Sequence, residues 1–180
     1  MSLLLGALFT LAAGGFLWWV SFQRRRRMAA VLEALWVERM EQLAVRSGLR
    51  FDRGDGSLKG EVGGRSLVFL YLPERQGHPE GADIGFRVEG VSGRISMVPR
   101  GESGTFQERY HVDGEPPAWL DDAVRTTLDE TTLSVVIEAS RLEVRILEEL
   151  DDEVFQIALD LVRYIVAGGR SPGELWRLRS

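Results

Sequence analysis

The chain has 180 residues, with 22 lysines and arginines against 27 aspartates and glutamates, a net charge of −5, and no cysteine. Disulfides are therefore excluded, and the acidic balance argues against general nucleic-acid binding, which runs on neutralisation of phosphates. The length allows one domain with a real core.

Residues 1–23 carry no charged side chain. The apolar run Leu3 to Phe22 is 20 residues long, about 30 Å as a helix, the thickness of bilayer hydrocarbon. Trp18, Trp19 and Phe22 sit at its end, where amphipathic rings favour the headgroup level, and Arg24, Arg25, Arg26 and Arg27 follow. A cleaved secretory signal would need a basic segment before the run and a shorter apolar stretch. The reading is therefore a retained transmembrane anchor. The arginines place the N-terminus outside and the rest in the cytosol, at the inner membrane of a bacterium. They also suit a clamp on anionic lipid headgroups. Beyond Arg27 the balance is 18 basic against 27 acidic residues, about −9. Gly6, Thr10 and Gly14, spaced by four, form a small-residue ridge that predicts self-association within the bilayer, hence a homodimer.

No Gly or Pro occurs between Phe16 and Ser47. Met28, Leu32, Leu35 or Trp36, Met40 and Leu43 recur at helical steps, and Gly48 supplies a stop. This amphipathic helix is expected to dock on the domain's own sheet, with pairing between copies as the alternative.

A glycine-punctuated β region follows. Ser57 to Val62 and Arg65 to Leu72 read as a hairpin turning at Gly63-Gly64. A second hairpin is read from Ile84 to Glu89 and Arg94 to Val98, turning at Ser92-Gly93. A further strand is expected over Thr105 to Val112, with Phe106, Tyr110 and Val112 on one face. The stretch "EPPAWLDDAVRTTLDE" reads as a helix with prolines at its entry. A closing hairpin runs from Leu133 to Glu138 and Arg141 to Leu147 around Ala139-Ser140. The last helix spans about Asp152 to Ala167 and ends at Gly168-Gly169.

These elements predict an N-terminal transmembrane helix followed by an α+β domain, a mainly antiparallel sheet with hairpins packed by about three helices. The organisation is a transmembrane anchor at 1–23, a basic juxtamembrane segment and amphipathic helix at 24–47, an α+β domain at 48–168 and a flexible tail at 169–180. The stretches "GSLKGEVGGRSLVF", "YHVDGEPPAWLDDAVRTTL" and "SVVIEASRLEVRI" together resemble a group of short bacterial single-span membrane-anchored proteins of unknown function. The resemblance covers about residues 48–148. It implies a polar strand, a Gly-Arg turn, an apolar strand, a short helix and a closing hairpin, and no activity.

Candidate chemistry resolves into structural roles. His78 and His111 are the only histidines, 33 residues apart, and with no Cys they predict no metal site. The acids of Glu148 to Glu153 fall where a helix begins and stabilise the positive end of its dipole. Arg53-Gly54-Asp55 lies in a tight turn. "GEVGG" sits between two strands and lacks the Lys-Ser/Thr of a phosphate loop, and no serine stands in a Gly-x-Ser-x-Gly elbow. No catalytic residue and no cofactor is predicted. The expected function is a membrane-anchored, cytosol-facing interaction module with an unknown protein partner. The alternatives are a lipid- or small-ligand-binding domain, or an enzyme with an unfamiliar carboxylate and arginine site.

Overall fold

The structure, a computed structural model, describes residues 22–24, 28, 30–71, 84–101 and 104–169. It divides into two compact units, residues 1–42 and 43–180.

Residues 22–24 and 28 are helical, and α1 is the helix of residues 30–47. The expected apolar stripe splits along α1. Met40, Leu43 and Ala44 are buried, whereas Met28, Val31, Leu32 and Leu35 are more than half exposed.

The second unit is built on one eight-stranded sheet. Its strands are β1 (Arg50–Asp52), β2 (Ser57–Val62), β3 (Arg65–Tyr71), β4 (Ile84–Glu89), β5 (Ile95–Pro99), β6 (Tyr110–Gly114), β7 (Leu133–Glu138) and β8 (Arg141–Ile146). They lie in the order β1-β2-β3-β4-β8-β7-β5-β6, antiparallel throughout. The strands alternate, so one face is apolar. Register aligns Leu58, Phe69, Phe86, Val144, Val135 and Met97 in a single row across that face. Each of these side chains is 2% exposed or less.

Three further helices accompany the sheet: α2 (Phe106–Arg109), α3 (Asp122–Glu130) and α4 (Asp152–Val166). Helix α4 packs on β8 and β4. Its Phe155 ring sits 4.8 Å from that of Phe69 and 5.2 Å from that of Phe86, edge-on to the first. This three-ring cluster fills the centre of the core; such contacts add about 0.5–1.5 kcal/mol per pair beyond area burial. Asp151 and Asp121 cap α4 and α3, accepting from Val154 N at 2.7 Å and Val124 N at 2.9 Å. Tyr164 of α4 donates its hydroxyl to Asp121 Oδ2 at 2.6 Å, tying the two helices together. The acids of the 148–153 run thus include the cap expected of them.

Several expectations are corrected here. The fold is dominated by one antiparallel sheet, and among the described residues no helix is long and apolar enough to cross a membrane. The 18 residues of α1 include Glu33, Glu38, Arg39, Glu41 and Arg46, too many charges for a span. The architecture of a transmembrane helix plus an α+β domain is overturned on this finding, and the single-pass inner-membrane location goes with it. The anchor expected at residues 1–23 lies outside the described residues except for Phe22 and Gln23.

The second hairpin does not form either. β4 and β5 are separated in the sheet by the β8–β7 hairpin, which pairs with both. Residues 105–109 form a helical turn rather than a strand. Thr105 and Glu108 make a capping box, with Glu108 Oε2 accepting from Thr105 N at 2.9 Å. Phe106, at the start of this turn, stacks at 5.0 Å on Tyr110, the first residue of β6. Helix α3 begins at Asp122, not at the prolines, because Asp121 holds extended backbone as the N-cap and its carboxylate accepts from Val124 N. The short edge strand β1 was not expected.

Candidate functional site

Of the residues singled out in the sequence, Gly6, Thr10, Gly14, Trp18, Trp19, Arg25, Arg26 and Arg27 lie outside the described residues. Arg24 is helical and exposed. The structure brings none of these into a described site. His78 also lies outside the described residues. His111 stands exposed on β6, hydrogen-bonded through Nδ1 to Arg100. Among the described residues no group of His, Asp and Glu side chains is arranged to hold a metal ion.

Three surfaces stand out. The first is the exposed stripe of α1. Val31 and Leu32 are 54% and 61% exposed, Met28 and Leu35 56% and 57%. The spacing i, i+3, i+4, i+7 puts all four on one helix face, and a contiguous apolar patch of this kind marks an interaction site more often than scattered apolar residues do.

The second is the other face of the sheet, where charges alternate with half-buried valines. Glu143 of β8 is its hub. Its Oε1 accepts from Arg87 Nε at 3.1 Å and its Oε2 from Arg145 Nη2 at 2.9 Å, with Arg141 Nη1 at 3.8 Å. Arg141 Nε donates in turn to Glu89 Oε1 at 2.9 Å. Burial alone would raise the Glu143 pKa, but the guanidiniums of Arg145 and Arg87 outweigh it and hold the carboxyl below its usual range. A carboxylate engaged by guanidiniums on both oxygens is fixed in its ionised form and makes a poor general acid. At the β1–β2 turn a second ionic knot forms. Lys59 Nζ lies 2.8 Å from Asp52 Oδ2 and 2.5 Å from Asp55 Oδ2, and its hydrogen bond holds Asp55 down at about 2. Arg53-Gly54-Asp55 is thereby a structural turn, as its glycines imply.

The third is a cleft of about 650 Å³ at the end of β5 and β6. Ile95, Ile137 and Trp119 form an apolar lining, each under 8% exposed, while Pro116 and Pro117 make a wall. Arg94 and Glu115, both exposed, stand at its rim. Gly114 is required here. Its φ of +106° disfavours other residues, and a Cβ would come within 2.6 Å of Arg94 O. The sequence signal for this cleft is a Pro-Pro pair close before a tryptophan, which reads as helix entry when periodicity alone is considered.

At the opposite end of β5 and β6 from the cleft, Arg109 is 5% exposed and donates to the backbone oxygens of Asp129 and Thr131. Tyr110 donates to Leu133 O at 2.9 Å, and burial pushes its hydroxyl up to about 12. These groups satisfy the backbone around the end of α3 and the start of β7 and face no cavity described above.

Comparison with protein-family models, with curated proteins and with solved structures finds no match for this chain.

Proposed function

We propose that the chain is a non-catalytic interaction module that associates with a second copy of itself through the exposed stripe of α1. The observation that carries this reading is the exposure of Met28, Val31, Leu32 and Leu35 on a single helix face. The core beneath the sheet is filled by Phe69, Phe86 and Phe155, which favours a binding surface over a ligand-holding interior. The Glu143 carboxylate is engaged by guanidiniums on both oxygens, which disfavours an acid–base role.

Charge selects the partner and its direction. Arg24 to Arg27 precede the stripe, while Glu33, Glu38 and Glu41 against Arg39 make the following segment acidic. Two copies side by side in the same direction would set like charges together. Antiparallel copies set each basic end beside the other's acidic end, and the pair is two-fold symmetric. Four stripe residues are far fewer than the roughly 20–30 a side of a standard interface, so association is weak, about micromolar or above.

The absence of cysteine makes the test direct. Single-cysteine variants of the full chain are oxidised in detergent-containing buffer. Val31→Cys and Leu32→Cys, at the two-fold, should cross-link efficiently. Met28→Cys should cross-link with Leu35→Cys in a mixture but not with itself. Cross-linking of every stripe position with itself would show parallel pairing and refute the charge argument. Cross-linking of none would refute self-association through this face.

A further inference from the structure

The sheet ends on β6, which pairs only with β5. Antiparallel neighbours alternate between residues that bond across the ladder and residues that turn their N–H and C=O away from it. Arg100 N donates to Arg109 O at 2.6 Å, which fixes the phase. His111 and Asp113 therefore bond back to Val98 and Ser96 of β5, while Val112 turns its N–H and C=O outward. Side chains alternate as well, so His111 and Asp113 stand exposed on the charged face of the sheet. Arg100 donates to His111 Nδ1, which leaves the imidazole hydrogen on Nε2. No hydrogen bond or ion pair among the described residues engages Asp113. The opposite edge is blunted: β1 has three residues, and its Asp52 is taken by Lys59 and by Gly54 N.

We propose that β6 adds edge to edge to β6 of a second copy, continuing the sheet across a two-fold axis. This contact is separate from the α1 stripe. Two-fold symmetry makes the added strand antiparallel. Only outward-turned backbone can bond across the new ladder, so Val112 faces either its own counterpart or an outward residue two positions away. Charge decides among these registers. With Val112 on the two-fold, each His111 stands opposite the partner's Asp113 in a non-hydrogen-bonded pair, where Cα atoms approach to about 4.5 Å and side chains meet. Arg100, beside His111, adds a second positive group facing that carboxylate. The neighbouring registers set Asp113 against Asp113, or His111 with its Arg100 against the same pair, and like charge opposes both. The central register also matches the whole of Tyr110–Gly114 with itself. The edge is thus self-complementary in backbone and in charge, which fits a second copy of this chain better than an unrelated strand.

The test uses two full chains, both carrying Leu32→Glu so that the outcome does not depend on the α1 contact. One also carries His111→Cys and the other Asp113→Cys. Oxidised together in detergent-containing buffer they should cross-link, because the pair falls within the roughly 4.4–6.8 Å between Cα atoms that a disulfide spans. Oxidised alone neither should, because identical positions lie roughly 8 Å apart, two residues along and one strand across. Adding Val112→Pro to both chains should cut the yield at least tenfold, since it removes the donor at the two-fold. It should leave the urea midpoint above that of His111→Pro, because only the latter loses a bond to β5. No cross-link in the mixture, or cross-linking of either chain with itself, would overturn the proposal. A yield that Val112→Pro leaves unchanged would overturn it too, as would equal midpoints for Val112→Pro and His111→Pro.

Discussion

Gly85 is the position where one added methyl group tests the sheet. It lies in β4 opposite Arg145 of β8. A Cβ built on it would stand 2.3 Å from Val144 O and 2.9 Å from Arg145 Cα, both backbone atoms of the neighbouring strand. Real Cβ contacts do not fall below 3.0 Å, so β8 must withdraw by about 0.7 Å or more. No rotamer relieves the clash, because the obstructing atoms are backbone. Overpacking of this kind costs about 1–3 kcal/mol, and each ladder hydrogen bond lost near the site adds about 1 kcal/mol. Gly85→Ala should therefore destabilise the protein by about 2–4 kcal/mol, a large share of the roughly 5–15 kcal/mol that holds such a domain together. Gly101→Ala is the control, since nothing lies within 4 Å of its added Cβ and its φ is not in the left-handed region. Urea denaturation followed by far-ultraviolet circular dichroism measures both. A Gly85→Ala midpoint within error of wild type, or equal to that of Gly101→Ala, would refute the close approach of β4 and β8.

Two further outcomes are expected. Ala139 and Ser140 link β7 to β8 with φ of 49° and 62°, a turn that favours Asn-Gly, so the double replacement A139N/S140G should stabilise by about 1 kcal/mol and raise Tm by about 2–4 °C; an unchanged or lower Tm in calorimetry would count against the turn. Asp52, Asp55, Glu108, Asp121 and Glu143 all have pKa values lowered by folding, so the stability they add is complete above their unfolded values near 4 and is lost as pH falls through the folded ones; the urea midpoint should drop steadily from about pH 4.5 towards pH 2, less steeply for Glu143→Gln, and a flat midpoint over that window would contradict the linkage.

Local pairings were legible because the information for them is local. The hairpin 57–71 follows from alternation around Gly63-Gly64, and the hairpin 133–146 from alternation around Ala139-Ser140. Helix α4 was legible through its broad apolar face and its acidic start. What failed depended on distance or on competing periods. Residues 84–89 and 94–98 carry strand signals and a glycine turn between them, yet their partners sit beyond residue 132, and nothing in a short window reports that. At residues 105–112, Phe106 and Tyr110 suit either period. The Thr105 and Glu108 capping box, a helix-start signal present in the sequence, decides the matter. The candidate surfaces were legible in part. The α1 stripe was seen as a stripe, but its burial was expected along its whole length. Alternation along β8 sets Glu143 on the face opposite Leu142 and Val144, but its convergence with Arg87 needed the β4–β8 register. The membrane reading rested on residues 1–27 and drew nothing from the sheet.

The place of the β7–β8 hairpin has a consequence for how the protein is made. Strands β1 to β4 pair in sequence order, and β5 pairs with β6, so a nascent chain can build these two fragments as it leaves the ribosome. They share no ladder. Each keeps open one edge that the finished sheet closes, β4 on one and β5 on the other, until residues 133–146 arrive and zip into both at once. Glu89 waits 52 positions for Arg141. The hairpin acts as a keystone: the unfinished chain carries two adhesive strand edges through most of its synthesis, and loss of this one segment leaves two half-sheets with nothing to join them.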